Sequence, residues 1–304
     1  MIYEEYDYYE ISDYINNNVD LLVTGYEGQE ERSSFLSHQQ EWGSKKIIKL
    51  KRHGRDMVDL RFYENGEEKS CSRINMLNGV PNFFSSLRIK ELSVLVDLSS
   101  LDHILIMVLT KQFLTTVPPK SLFACYICPC SYTSESGTIG YDLSDQISAV
   151  SSVPGFVKRE TEHEILCAFL GFEGTRLKGV IETVHDFDQI IPIVAFPSEQ
   201  SQRFNVSIWN CMEVLQSEAA NLTIQRCLSD SIFEAVEMLE KTIPQESRVV
   251  LAPLGTRPHS MACAIFACRH SHTRIIYDYV TENENRAIGI SKIIVYHLSS
   301  FIPV

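Results

Sequence analysis

Four times along the chain a run of apolar residues stops at glycine or small polar residues and gives way to a helix-like stretch. The runs are Leu21–Thr24 before Gly25, Leu92–Leu98 before Ser99-Ser100, Ile165–Leu170 before Gly171, and Arg248–Ala252 before Gly255. An unbroken apolar strand is one whose two faces are both covered, the mark of a parallel sheet. Parallel neighbours need long crossovers, usually helical. The expected fold class is therefore α/β, as two tandem Rossmann-like parallel-sheet units. A length of 304 residues fits two domains of ordinary size.

The elements between these runs follow from pattern and punctuation. Residues 1–20 are acidic and tyrosine-rich, and read as a lead-in helix stopped at Asn16–Asn18. Residues 33–42 have helical character, and Lys46–Leu50 reads as the next strand. Met57–Tyr63 alternates apolar and polar, as an exposed hairpin strand does. A strongly apolar helix is expected over 101–114, closed by Pro118-Pro119, with a strand from Ser121. Residues 131–160 are Ser- and Gly-rich and read as a linker. The pattern then restarts, with helices over 175–184, 204–217 and 229–242. Strands are expected at 190–196, near a sheet edge because of Pro192, and at 274–279. A last, antiparallel strand is expected at 290–298. These readings place one domain at 1–150 and the second at 151–304.

The two halves resemble each other. DLLVTGYEGQEERS from Asp20 matches LCAFLGFEGTRLKG from Leu166, and VLVDLSSLDHILIMVL from Val94 matches VVLAPLGTRPHSMACAIF from Val249. Glycine between strand and helix is sterically cheap in any such fold. The shared Gly-Tyr/Phe-Glu-Gly string favours duplication, with pseudo-two-fold symmetry.

The formal net charge is −12, which disfavours non-specific nucleic-acid binding. No apolar run approaches the ~20 residues of a membrane span, and no secretion leader is visible. Nine cysteines, mostly in apolar stretches, read as reduced thiols of a cytoplasmic protein. Cys125, Cys128 and Cys130 lie on or beside a strand without a second ligand pair, so they read as structural thiols and no metal is expected. No cofactor is indicated, because neither a dinucleotide fingerprint nor a P-loop is present.

The sharpest local signal is Leu254-Gly255-Thr256-Arg257-Pro258-His259-Ser260. It lies at the carboxyl end of a buried strand, where open α/β sheets bind ligands. Gly255 permits close backbone approach, and Thr256 and Ser260 offer hydroxyls. Arg257 is a planar multi-donor cation, and the helix that follows adds N–H groups and a favourable dipole for an anion. A plain turn with Pro258 in the first helical turn and Arg257 solvated is the alternative. The segment resembles the strand, Gly-Thr-Lys-Pro-type loop and helix of CRISPR-associated Rossmann-fold (CARF) domains and related defence-island proteins. That resemblance implies a nucleotide pocket lined by two loops per unit. The first-loop role falls to Gly25 through Glu27 and to Gly171 through Glu173. The second falls to Gly255, Thr256 and Arg257, and in the other half to Asp97, Ser99 and Ser100. Leu254 and Arg257 depart from the Gly and Lys of that pattern, and no nuclease-like or helix-turn-helix pattern is visible in these residues.

Glu27 and Glu173 suit ribose hydroxyls, and Arg32 and Arg176 suit phosphates. Carboxylates that only favour a helix dipole explain the glutamates equally well. Gly174, just before the helix expected over 175–184, is a further candidate ligand-binding residue. His259 is the candidate general acid–base group, since histidine titrates near neutrality. The expected function is binding of a nucleotide or other phosphorylated small molecule, as a sensor or accessory component of bacterial anti-phage defence with a partner protein. A nucleotide-processing or phosphodiesterase-like enzyme and a non-catalytic interaction subunit are the alternatives.

Overall fold

The computed structural model describes residues 2–6, 10–26, 28, 30–132, 144–157, 164–184, 187–197, 201–218, 223–282 and 287–303. The chain is mixed α/β with parallel-rich sheets, and it divides into two compact units. Unit 1 comprises 1–133 and 284–304, and unit 2 comprises 134–283.

Unit 1 contains β1 (Ile2–Tyr6), α1 (Glu10–Asn18), β2 (Leu21–Gly25), α2 (Glu31–Ser34), β3 (Lys46–His53), β4 (Met57–Glu64) and β5 (Glu67–Asn75). It continues with α3 (Gly79–Ser86), β6 (Ser93–Asp97), α4 (His103–Lys111), β7 (Ser121–Cys128) and β8 (Ser131–Tyr132). Unit 2 contains β9 (Ser144–Ser152), β10 (Glu164–Phe169), α5 (Gly174–Val184), β11 (Phe187–Ala195), α6 (Ser201–Glu218) and β12 (Gln225–Cys227). It closes with α7 (Ile232–Thr242), β13 (Val249–Pro253), α8 (Arg257–Arg269) and β14 (Thr273–Glu282). The chain then returns to unit 1 through β15 (Ala287–Ile288) and β16 (Lys292–His297).

The sheet of unit 1 runs β1-β16-β7-β6-β2-β3-β4-β5. Its centre, β7-β6-β2-β3, is parallel. The apolar runs dictate this centre: all five residues of β2 are buried, and four of the five in β6. Eight of the nine residues of α4 are buried as well, which is why its sequence is apolar all round. Asp102 caps that helix by accepting from the Leu105 N–H, and Arg52 holds the capping carboxylate at 2.9 Å. The alternation in Met57–Tyr63 becomes the antiparallel β4, with Val58, Leu60 and Phe62 turned to the core.

The sheet of unit 2 runs β12-β11-β10-β13-β14-β9. All its ladders are parallel except β14 with β9. Pro192 sits on β11 opposite Ala168, and β12 covers only Ile193–Ala195. At the proline, the outer side of β11 therefore has no ladder partner among the described residues, which accommodates the missing N–H.

Four expectations need correction. The lead-in segment is β1 followed by α1, because β1 finds a partner in β16 at the other end of the chain. The stretch over 33–42 holds only the end of the short α2 and then two 3-10 segments. Burial of Trp42, whose Nε1 donates to the Leu36 carbonyl, overrides helical propensity there. The expected linker contains β9, an edge strand whose Ser-rich sequence conceals a ladder to β14; residues 133–143 and 158–160 of it lie outside the described residues. The boundary at 150 falls inside β9, and the last residues belong to unit 1 because β16 pairs with β7. The antiparallel sense of β16 is as expected. No helix among the described residues is long and apolar enough to cross a membrane.

Candidate functional site

In each unit the strand order reverses beside the first parallel strand, between β2 and β6 in unit 1 and between β10 and β13 in unit 2. The loops at the carboxyl ends of these four strands carry most of the expected site residues.

In unit 2 the loop after β13 enters α8 directly, with Thr256 as the N-cap and Pro258 in the first turn. Gly255 is a packing requirement, since a Cβ there would lie 2.9 Å from His259 Nδ1. Thr256 Oγ1 donates to the Ser229 carbonyl at 2.6 Å. Ser260 is fully buried. His259 is 1% exposed and its ring lies 4.6 Å from that of Phe169. Its Nδ1 faces the Thr256 N–H at 3.4 Å and its Nε2 lies 2.8 Å from the Leu228 carbonyl. Only the neutral ring protonated at Nε2 serves both, accepting at one nitrogen and donating at the other. Burial pushes its pKa down to about 4, against the smaller opposing effects of the Leu228 carbonyl and Asp230. The acid–base expectation for His259 therefore fails: the ring is neutral, closed in and committed to backbone. Arg257, half-buried at the first helical position, is the cation of this loop.

A pH dependence follows. Unfolded, the ring titrates near 6.5; folded, near 4. Between these values only the unfolded chain takes up the proton, so stability is lost as pH falls from 6.5 to 4. At ~1.36 kcal/mol per unit the loss attributable to His259 is about 3 kcal/mol. Gln at this position of a capping box also returns to the cap N–H. Chemical unfolding across pH 4–7 should show a shallower pH dependence for His259→Gln than for the wild type. Identical slopes would refute the assignment.

The other loop of unit 2 is equally occupied. A Cβ on Gly171 would meet the Leu254 carbonyl at 2.4 Å, and one on Gly174 would meet the Asn210 carbonyl at 1.9 Å. Ser207 Oγ and Asn210 Nδ2 donate to the carbonyls of Gly171 and Phe172, both at 2.6 Å. Arg176 is buried and paired with Asp278, which is 0% exposed: Nε and Nη2 reach the two carboxylate oxygens, the latter at 2.7 Å. Nη2 also donates to the Tyr277 hydroxyl at 3.2 Å, and Glu173 Oε2 lies 3.8 Å from Nη1. Arg176 and Glu173 thus neutralise groups of their own unit.

In unit 1 the corresponding crevice is filled from within. Asp97, 0% exposed, accepts from Thr24 Oγ1 at 2.9 Å, Ser100 Oγ at 2.7 Å and the Ser99 N–H at 2.9 Å. Ser100 Oγ also accepts from the Gly25 N–H, and Ser99 Oγ accepts from the Ile127 N–H. A Cβ on Gly25 would lie 2.1 Å from the Ser100 carbonyl. Asp97, Ser99 and Ser100 therefore stitch β2, β6 and β7 together. Glu27 lies outside the described residues.

Arg32 is different. It is 2% exposed, and its Nε donates to Glu30 Oε2 at 2.9 Å. Glu30 Oε1 accepts from the Ala287 N–H at 3.0 Å, and the guanidinium lies 5.9 Å from the Tyr132 ring centre. Its Nη1 is buried without a hydrogen-bond partner, the only cationic atom in that state among the described residues. Nearby β7, SLFACYIC, offers no carboxylate of the kind Asp278 provides to Arg176.

Five buried thiols are held in the protonated form, which is not the nucleophilic one. Burial raises Cys125 and Cys263 well above the ordinary range and Cys167, Cys211 and Cys227 to about 12. Asp278, Tyr277, Thr24 and Glu30 were missed in the sequence. The signal for Thr24 was available: a lone polar residue at the end of an apolar run, like Asp97. No protein-family model matches the chain, and no curated protein matches it.

Proposed function

We propose that the chain is a non-catalytic binding protein for a phosphorylated small molecule, a nucleotide by preference, and that it acts as a sensor or accessory subunit in bacterial anti-phage defence. One observation carries the ligand class: the buried Arg32 Nη1 without a partner. A buried cationic donor left unsatisfied costs more than a neutral one. Native chains keep such a group where something else completes it. An anionic oxygen is the natural complement of a guanidinium fork.

The tandem Rossmann-like repeat belongs to the same reading. In both units a glycine at the carboxyl end of the first parallel strand packs against a carbonyl of the loop after the neighbouring strand, Ser100 after β6 in one and Leu254 after β13 in the other. The unit 1 order β7-β6-β2-β3 recurs as β14-β13-β10-β11. The defence context, with its partner protein, rests on the likeness of Leu254–Ser260 to the CARF loop. The occupied crevice at Asp97 favours a second reading, an interaction subunit in which that loop only holds the fold.

The test is thermal unfolding with a panel of mono-, di- and cyclic oligonucleotides. A ligand at a hundredfold excess over its Kd adds about 2.7 kcal/mol, or roughly 5–10 °C for a domain of ~150 residues. Arg32→Met should abolish the shift while remaining folded. No shift across the panel, or one unchanged in Arg32→Met, refutes the reading. Conversion of the ligand, followed by mass spectrometry, would favour the enzyme.

A further inference from the structure

Basic charge is concentrated in one place. Residues 45–61 hold seven Lys or Arg and two Asp, in a chain of net charge −12. They form β3 and β4, whose alternation turns Ile48, Leu50, Val58, Leu60 and Phe62 inward. Lys49, Lys51 and Arg61 fall on the opposite face, joined by Arg73 of β5.

Register sharpens the point. Lys49 stands directly across from Arg61. Like charges opposed across strands repel. Of the carboxylates on this face, Asp59 is taken by Arg73 through two hydrogen bonds of 2.6 and 3.2 Å, and Glu68 accepts from the Tyr63 hydroxyl at 2.9 Å. Aromatic rings are interleaved with the cations. Arg61 lies 5.2 Å from the Tyr26 ring centre, and Lys49 lies 5.6 Å from that of Tyr63. Tyr26 and Tyr63 are half-buried, while Lys51, Arg61 and Arg73 are exposed.

We propose that the outer face of the β3–β4–β5 extension binds single-stranded nucleic acid, with phosphates on Lys49, Lys51, Arg61 and Arg73 and bases against Tyr26 and Tyr63. Charge complementarity selects a polyanion, and the interleaved aromatics select one with flat bases. The acidity of the whole chain does not prevent this, because at physiological salt charges farther than ~8 Å are largely screened. Glu64, Glu67 and Glu68 at the β4–β5 turn bound the contact at Tyr63, the last platform before the acidic end of the strands.

The test is fluorescence anisotropy of the full chain with labelled 20-nucleotide single-stranded DNA and RNA in 50 and 200 mM salt. Binding should weaken at least tenfold between these conditions, given a log–log slope of about −0.7 per phosphate. Lys49→Glu with Arg61→Glu should weaken it tenfold or more. Tyr26→Ala should weaken it at least fivefold, and Tyr26→Phe should not. Lys178→Glu, at an exposed position of α5, should leave it unchanged. If circular dichroism shows that the double reversal is unfolded, Lys51→Glu replaces it, with an expected loss of at least threefold. No binding in 50 mM salt, binding indifferent to the charge reversals, or equal affinity for polyglutamate would each overturn the proposal. The last result would point to an acidic protein segment instead.

Discussion

Asp278→Asn should lower the unfolding free energy of unit 2 by about 3–5 kcal/mol, the loss expected when one member of a buried ion pair is removed. Arg176 and Asp278 are both buried on facing elements, α5 and β14. The carboxylate takes two guanidinium nitrogens, and Tyr277 supports the fork at 3.2 Å. The amide keeps the volume but has no charge, and it offers one acceptor where the carboxylate offers two. Glu173, 3.8 Å from the far side of the guanidinium, is too distant to take over. Arg176→Met with Asp278→Leu and Glu173→Gln should recover most of the loss, because apolar or neutral replacement of a whole buried ion group is often neutral. Peptide-resolved hydrogen exchange under denaturant titration reads the effect in α5 and β14. If Asp278→Asn leaves protection intact while abolishing ligand binding, Arg176 is a ligand group and its pairing with Asp278 is incidental.

That prediction turns on a contact that no sequence pattern announced. Arg176 and Asp278 are 102 residues apart. An arginine three residues after a Gly-Phe-Glu string looks the same whether a phosphate or a distant aspartate will meet it. The parallel strands were legible because burial on both faces writes an unbroken apolar run, as in β2, β6, β10 and β13. The hairpin strand β4 was legible because one buried face writes an alternation. The edge strands β1 and β9 were not, since an edge ladder is held by backbone hydrogen bonds and leaves composition free. The return of β16 to unit 1 is a fact of pairing between distant segments, which periodicity does not encode.

The candidate loops show the same division. The glycines at Gly25, Gly171 and Gly255 have an internal reason. Each glycine makes room for the chain itself: a carbonyl of the loop after the neighbouring strand in two cases, the His259 ring in the third. A glycine required by packing and one required by a ligand leave the same letter in the sequence. His259 followed suit, its spacing from Thr256 serving the helix cap. Arg32 differs in that its charge is paired with Glu30 while its Nη1 is buried without a hydrogen-bond partner.

Asp97→Ala provides the complementary test in unit 1, with an expected loss of about 3–5 kcal/mol. Hydrogen bonds to a charged acceptor contribute roughly 1.5–3 kcal/mol each, and a stranded buried donor costs about 1–3. Three donors converge on this carboxylate. Thr24 and Ser100 hydroxyls lie 2.8 Å apart and can turn towards one another when it is removed. The Ser99 N–H has no such freedom, because it is a main-chain donor with no rotor of its own. The loss is therefore smaller than the sum of three charged bonds and larger than that of one. Asp97→Asn, which keeps one acceptor oxygen, should fall about midway. Trp42 is buried in unit 1, so its fluorescence in a Trp209→Phe background follows unfolding there. A crevice built to hold a ligand would behave differently: Asp97→Ala would leave the Trp42 transition where it was and abolish the nucleotide-induced shift. Destabilisation with the shift retained would place the ligand at Arg32 and leave the Thr24–Asp97–Ser100 cluster as the clamp between β2 and β6.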